Sequence, residues 1–233
     1  MKPSESPFPC RWESFSLESA GLGDVRPRIN TYGSYDFFAL PPVPFELRGD
    51  WSWLQASKLV DPSIAKEKRR ANVKAVRSLK DEVTGVGLNL PDSFTRFLSE
   101  PGLAERVRSN TCCYLDVSDG LATSPVAGGY LVRFLADSQC CLFWYLYLAP
   151  NGDHAVLSSG DYYGSQSEEQ GFYSYELAEG PLARRPEDIS FAEESFEAFM
   201  WRFWIENEIW FAAFEGREIS AIGRQYVIAY RKS

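Results

Sequence analysis

The pattern of apolar and polar positions is most regular in the middle of the chain. Tyr130 to Ala136 is apolar, β-branched or aromatic at most positions, and Cys140 to Leu148 has the same character after a short polar break. A turn, Asn151-Gly152-Asp153, and a further apolar run follow, and Asn-Gly tolerates the positive φ angles of a tight hairpin. We therefore predict three consecutive antiparallel strands. The second is almost entirely apolar, so other parts of the chain must cover both faces of the sheet.

Two segments upstream of these strands have the features of helices. Asp61-Pro62 is a good helix start, because aspartate caps a helix and proline suits its first position. That helix is predicted to run to about Glu82 with an imperfect apolar stripe, and its basic residues are expected to face solvent. A short helix is predicted over Leu90 to Leu98, where Phe94 and Phe97 share one face with Leu98.

A long aromatic helix is predicted near the end of the chain. Ser190 and Glu193 have the spacing of a capping box, in which each side chain bonds the other residue's free backbone amide. The predicted helix runs from Phe191 to Phe214 and ends at Gly216. Residues 218–230 are compatible with either a helix or a strand.

The first part of the chain differs in composition from the rest. Seven prolines occur before residue 50, which prevents any long helix there. The aromatic residues between Tyr32 and Phe45 indicate that this part packs on the body of the protein. We therefore predict an N-terminal extension, residues 1–60, and a single α+β domain, residues 61–233.

Composition and charge restrict the function. The net charge is −8, and residues 161–215 contain thirteen acidic against three basic residues, a net charge of −10. An acidic surface repels nucleic-acid phosphates and attracts cationic proteins, so we expect no nucleic-acid partner. The longest apolar run, Cys140 to Ala149, is too short to span a membrane, and the first residues lack the apolar core of a secretory signal. We expect a cytoplasmic protein without membrane contact.

Candidate catalytic and metal-binding residues are few. Four of the five cysteines form two adjacent pairs without C-x-x-C spacing, so we expect reduced thiols, no zinc and no other metal. His154 is the single histidine, and no G-x-S-x-G motif accompanies it. An enzyme or small-ligand binder remains an alternative. It would use aspartates near the predicted strand ends: Asp116, Asp119, Asp137, Asp153 and Asp161.

Several segments together resemble the SUKH superfamily, which groups bacterial toxin-immunity proteins with fungal regulators of cell-wall synthesis. They are LPDSFTRFLSEPGLAERV, TCCYLD, GGYLVRFLADSQCCLFWYLYLAPNG and SFEAFMWRFWIENEIWF, within residues 88–215. The resemblance implies an α+β domain with a central, mostly antiparallel sheet and helices packed on one side. It also implies a protein-binding role, which in the bacterial members is commonly neutralisation of a toxin, often a nuclease.

These observations predict a non-enzymatic protein-binding module without a cofactor. The predicted role is that of an immunity protein, and the alternative is an intracellular regulatory scaffold. The expected partner is a basic protein, and the oligomeric state is left open. Aromatic residues beside carboxylates suit a basic protein surface. The predicted binding residues are therefore three tyrosines and three glutamates of one loop, together with two tryptophans expected to be exposed on the central strand and the long helix: Tyr162, Tyr163, Glu168, Glu169, Tyr173, Glu176, Trp144 and Trp201.

Overall fold

The computed structural model describes residues 1–28, 31–59, 62–165 and 186–232, with residues 62–69 and 186 described by their backbone alone. Within these residues the fold is α+β. The strands are β1 (Arg11–Ser14), β2 (Gly33–Asp36), β3 (Tyr114–Leu115), β4 (Ala122–Thr123), β5 (Tyr130–Ala136), β6 (Phe143–Leu148), β7 (His154–Ser159) and β8 (Ser190–Glu193). The α-helices are α1 (Ser52–Gln55), α2 (Pro62–Gly85), α3 (Asp92–Ser99), α4 (Phe196–Phe214) and α5 (Ala221–Tyr230).

The three predicted central strands are confirmed as β5, β6 and β7. They pair antiparallel in a sheet of order β3-β5-β6-β7-β8, and β4 also pairs with β5. The predicted turn joins β6 to β7. Gly152 has a φ of +89°, and its N–H donates to the carbonyl of Ala149 at 3.0 Å. The left-handed conformation at this point suits glycine, which has no Cβ.

Both faces of the central sheet are covered, as its apolar sequence requires. Trp144, Leu146 and Leu148 of β6 pack in the core cluster that includes residues of α2, α3 and α4. The alternate residues of β6 lie in a second cluster on the opposite face, where the cover includes Phe8 and Tyr163. Helices therefore pack on one side of the sheet, and irregular segments cover the other.

The two predicted upstream helices are confirmed. Helix α2 extends three residues beyond Glu82, and its described apolar stripe is buried through Val76, Leu79 and Val83. Four basic residues on its other faces are exposed: Arg70, Lys74, Arg77 and Lys80. Helix α3 places Phe94 and Phe97 in the core.

The predicted start of the long helix is wrong. Ser190–Glu193 forms strand β8, which pairs with β7 at Leu157↔Phe191, and the Phe191 N–H donates to the Pro9 carbonyl at 2.8 Å. The backbone amides of this segment are thus occupied by strand partners, so the capping box does not form. Helix α4 begins at Phe196 instead, and the Ser195 hydroxyl accepts a hydrogen bond from the Ala198 N–H at 3.2 Å.

The end of the chain is also defined. Helix α4 ends at Phe214, just before Gly216, whose φ is +66°. The ambiguous residues 218–230 contain a helix, α5, capped by Ser220 and packed on α4 through Tyr226 and Val227. None of the described helices is long and apolar enough to cross a membrane.

Parts of residues 11–28 and 31–59 form a layer over α4, which we call the N-terminal layer, and it buries much of this helix. Its charged residues are bonded largely by that layer. Glu197 accepts hydrogen bonds from the Gly49 N–H at 2.6 Å and the Trp53 indole at 3.1 Å. Arg202 donates to Glu193 at 2.9 Å and to the Pro41 carbonyl at 2.8 Å. The proposed boundary between residues 60 and 61 lies outside the described residues.

Candidate functional site

The two tryptophans predicted to be exposed are core residues. Trp144 is 2% exposed and packs against Phe199 and Phe203 of α4, with ring centroids 6.2 Å away in both cases. Trp201 is 1% exposed and packs between Phe45 and Tyr226. The expectation of exposure is wrong for both, because α4 covers one face of the sheet and the N-terminal layer in turn covers α4.

The described part of the predicted binding loop is bound to the sheet. The Tyr145 hydroxyl donates to the Asp161 carbonyl at 2.9 Å and accepts from the Tyr163 N–H at 3.0 Å. Tyr163 is buried, whereas Tyr162 is half-buried, with the Arg133 guanidinium 4.6 Å from its ring centroid. Four predicted binding residues, Glu168, Glu169, Tyr173 and Glu176, lie outside the described residues.

Three of the aspartates near the strand ends have separate partners. Asp116 pairs with Arg133 at 3.1 Å, and Asp137 accepts from the Tyr32 hydroxyl at 2.8 Å. Asp153 accepts from the Asn151 side chain at 2.9 Å. In the part of the chain that the structure describes, no three His, Cys, Asp or Glu residues lie where they could hold a metal ion. These positions are typical of turn residues.

The single histidine, His154, is the first residue of the interior strand β7 and pairs with Leu148 of β6. The N-terminal ammonium donates to its backbone carbonyl at 2.8 Å. Burial lowers the pKa of the His154 imidazole, and the nearby N-terminal charge lowers it further, although Asp153 acts in the opposite direction.

A cavity of about 640 Å³ lies where the N-terminal layer meets α4 and α5. We call it the aromatic cavity. It is lined by Phe45, Trp53, Ala56, Ser57, Lys58, Leu59, Arg108, Trp201, Trp204, Glu208, Glu215, Arg217, Ser220 and Ile222. Its volume is in the range of ligand-binding clefts, roughly 300–1,000 Å³.

The helical repeat of α4 explains one wall of this cavity. Trp201, Trp204, Glu208 and Glu215 are three, four and seven residues apart, so they follow one stripe of the helix. The aromatic rings of this stripe pack against rings of the N-terminal layer. Trp53 and Trp204 have centroids 5.4 Å apart, and Phe45 lies 6.0 Å from Trp201. Trp53 and Trp204 are both half-buried, so they present aromatic surface to the cavity.

The rim of the cavity carries a network of ion pairs. Arg108 donates to Glu208 at 2.8 Å and 3.3 Å and to Glu215 at 2.9 Å, and its guanidinium lies 3.9 Å from the Phe211 ring centroid. Arg217 donates to Glu215 at 2.5 Å. Hydrogen bonds from Arg217 and Arg108 lower the pKa of the Glu215 carboxyl. Burial lowers the pKa of Arg108, but its bonds to Glu208 and Glu215 raise it more, so the Arg108 guanidinium stays charged.

Sequence reasoning missed the aromatic cavity as a site. A signal was present in α4, where two glutamates follow two tryptophans along one stripe, a combination that a fully buried helix face would not carry. The contribution of Phe45, Trp53 and Leu59 had no comparable signal, because these residues are far from α4 in sequence.

No protein-family model matches this chain, and neither a curated protein nor a solved structure is significantly similar to it.

Proposed function

We propose that this protein is a non-enzymatic protein-binding module and that the aromatic cavity receives an apolar side chain of its partner. The observation that carries the proposal is the composition of the cavity. Partly exposed tryptophans form its wall, and an arginine network with satisfied charges forms its rim.

This arrangement has the character of a binding hot spot. Tryptophan and arginine are enriched among the residues that dominate binding energy, and such residues lie in pockets surrounded by contacts that exclude water. The carboxylates of Glu208 and Glu215 are already paired by Arg108. A partner that covers the rim would therefore bury these carboxylates together with their counter-charge, which lowers the desolvation cost of binding.

The partner we propose is a basic protein, and the proposed compartment is the cytoplasm. The net charge of −8 favours long-range attraction of a cationic surface. The resemblance to the SUKH superfamily supports a toxin, in particular a nuclease, as that partner, with neutralisation as the role. A toxin gene next to the gene for this protein would favour immunity over a regulatory scaffold.

Association should depend steeply on salt. We expect the association rate to fall on the order of tenfold or more between about 0.02 M and 0.5 M salt, since screening removes long-range attraction. Stopped-flow or surface plasmon resonance with the partner purified from the native host measures this rate. An association rate that does not change with ionic strength would contradict a cationic partner, while leaving the aromatic cavity open to test.

Replacing Trp204 with alanine should remove the main anchor contact. We expect the Kd for the partner to rise roughly thirtyfold, corresponding to about 2 kcal/mol. Isothermal titration calorimetry measures this loss, and circular dichroism shows whether the variant keeps its fold. Phe38→Ala is the matched control, because Phe38 is 69% exposed and does not line the cavity.

The position of the partner can be tested independently by cross-linking. A photoreactive amino acid at Ile222, which lines the cavity on α5, should form a cross-link to the partner, whereas the same group at the exposed Ser78 of α2 should not. Equal binding by Trp204→Ala, together with cross-linking from Ser78, would place the interface elsewhere and refute the proposed site.

A further inference from the structure

Four exposed basic residues of helix α2 lie apart from the aromatic cavity. Arg70, Lys74, Arg77 and Lys80 are all exposed, and in the part of the chain that the structure describes none of them forms an ion pair. Nine arginines elsewhere in the described residues do pair with carboxylates. The four residues recur every three or four positions, so they form one continuous surface, which we call the basic face of α2.

The stability of α2 does not explain this face. Like charges three or four residues apart repel each other on a helix, and Arg70, Lys74, Arg77 and Lys80 form three such neighbouring pairs. The helix also has no acidic residue in its first turn and no basic residue in its last turn, so its charges do not offset the helix dipole. The four cations therefore add repulsion to α2 without adding an ion pair.

Solubility does not explain the face either. A net charge far from zero keeps a protein soluble, and this chain has a net charge of −8. Four cations bring that net charge closer to zero. An exposed, unpaired cationic surface on an acidic protein is instead suited to attract an anionic group.

We propose that the basic face of α2 binds an acidic segment of a partner polypeptide. The proposal goes beyond the function proposed for the aromatic cavity and uses a different surface, because a basic partner would be repelled here. Ten residues separate Arg70 from Lys80, which is about 15 Å along a helix. A short run of glutamates or aspartates spans that length.

The charge at the end of the face favours a polypeptide over nucleic acid. Asp81 is exposed and follows Arg77 by four residues, so it continues the stripe of Arg70, Lys74 and Arg77 with the opposite charge. A row of phosphates along this stripe would meet the Asp81 carboxylate and, beyond it, a protein of net negative charge. A polypeptide can end its acidic run where Asp81 begins.

The packing of α2 disfavours an anionic membrane as the occupant. A helix that binds at a membrane surface inserts its apolar face between the lipids. The described apolar stripe of α2 is buried in the core through Val76, Leu79 and Val83. Only charge would hold the protein there, and the net charge of the chain opposes it.

The experiment titrates the full chain with a fluorescein-labelled peptide in which pairs of glutamates alternate with pairs of alanines. Its carboxylates then recur once per helical turn. Fluorescence anisotropy at about 0.02 M salt, where screening is weak, should show saturable binding. The same peptide with glutamine in place of glutamate should not bind. In ¹⁵N-labelled protein, the amide resonances that shift should be those of residues 70–81.

Charge reversal on the basic face should weaken this binding. We expect the Kd for the acidic peptide to rise about tenfold or more in the double variant Lys74→Glu, Arg77→Glu. The matched control is Lys2→Glu, Lys232→Glu, which changes the net charge equally at two exposed lysines outside α2. It should change the Kd less than about threefold, since its charges are not in contact with the peptide.

A single change separates loss of binding from loss of folding. Lys74→Glu places a carboxylate between Arg70 and Arg77 at helical spacing, which replaces repulsion with attraction. The urea midpoint of this variant should equal or exceed that of the native protein, while its affinity for the acidic peptide should fall.

Three results would overturn the inference. They are no binding of the acidic peptide at low salt, equal loss of affinity in the α2 and control double variants, or tighter binding at equal charge concentration to single-stranded DNA or to phosphatidylserine vesicles. Failure of the proposed function is a separate outcome, because Trp204→Ala should leave the affinity for the acidic peptide unchanged.

Discussion

Replacing Arg26 with methionine should lower the free energy of unfolding by about 3–5 kcal/mol, because it leaves a buried carboxylate without its counter-charge. Arg26 is fully buried and donates to Glu206 of α4 at 2.5 Å. Glu206 also accepts from the Trp12 indole at 3.0 Å and from the Tyr226 hydroxyl at 2.7 Å. One carboxylate thus joins the N-terminal layer, α4 and α5.

The pH dependence of this variant separates loss of charge pairing from loss of packing. Burial raises the pKa of Glu206, but the charge of Arg26 and hydrogen bonds from Arg26, Tyr226 and Trp12 lower it more, so the pKa lies below the usual value of a glutamate. In the native protein the pair therefore contributes its full stabilisation at pH values above the pKa that Glu206 has in the unfolded chain. This stabilisation is lost as the pH falls through the pKa that Glu206 has in the folded protein. Without Arg26, burial favours the protonated acid. The difference between native protein and variant should be largest near neutral pH and should shrink as Glu206 becomes protonated.

Urea denaturation at a series of pH values measures this difference. Arg231→Met is the matched control, because its ion pair with Asp24 at 2.9 Å is exposed and should contribute about 0–1 kcal/mol. If Arg26→Met changed stability no more than Arg231→Met at neutral pH, the buried pair would not be a main link between the layers.

The parts of the fold that local sequence determines were predictable. Apolar runs with a turn between them identified β5, β6 and β7, and helical periodicity with a proline start identified α2. In these elements the local preference and the tertiary contacts agree. The elements predicted from the local sequence are therefore the ones found in the structure.

The start of α4 shows where local signals fail. Ser190 and Glu193 have the spacing of a capping box, yet the segment pairs with β7 and also bonds the Pro9 carbonyl. These partners lie more than 30 and more than 180 residues away along the chain. Pairing at such distances leaves no local trace in the sequence, and it outweighs a cap that contributes typically about 1 kcal/mol.

The candidate site was unpredictable for a related reason. The spacing of Trp201 and Trp204 in the sequence does not say which of the two side chains solvent reaches. The answer depends on the N-terminal layer, which buries Trp201 through Phe45 and leaves Trp204 beside Trp53 at the cavity. Both contacts join residues more than 150 positions apart in the chain, so local periodicity carries no signal for them.

Removing residues 1–50 should abolish cooperative folding. This part of the chain contributes buried side chains to all three core clusters, including Phe8, Trp12 and Phe15. Its removal would expose the apolar surface of α4 and leave Glu206 without Arg26 and Glu197 without the Gly49 amide. Because domains of this size are stable by about 5–15 kcal/mol, losing these contacts together should exceed the stability available.

Differential scanning calorimetry and binding of the dye ANS test this expectation. The truncated chain should show no cooperative transition and should bind ANS, as expected for exposed apolar surface without fixed packing. The matched control is the full chain with Glu46→Ala and Arg48→Ala, which removes an ion pair whose side chains are 74% and 69% exposed in the same segment. That variant should unfold within about 1 kcal/mol of the native protein. A truncated chain that melts cooperatively near the native temperature would show that residues 51–233 fold independently. In that case, the N-terminal layer would be an accessory cover on a separate domain, and the aromatic cavity would lose Phe45 without losing the wall that α4 provides.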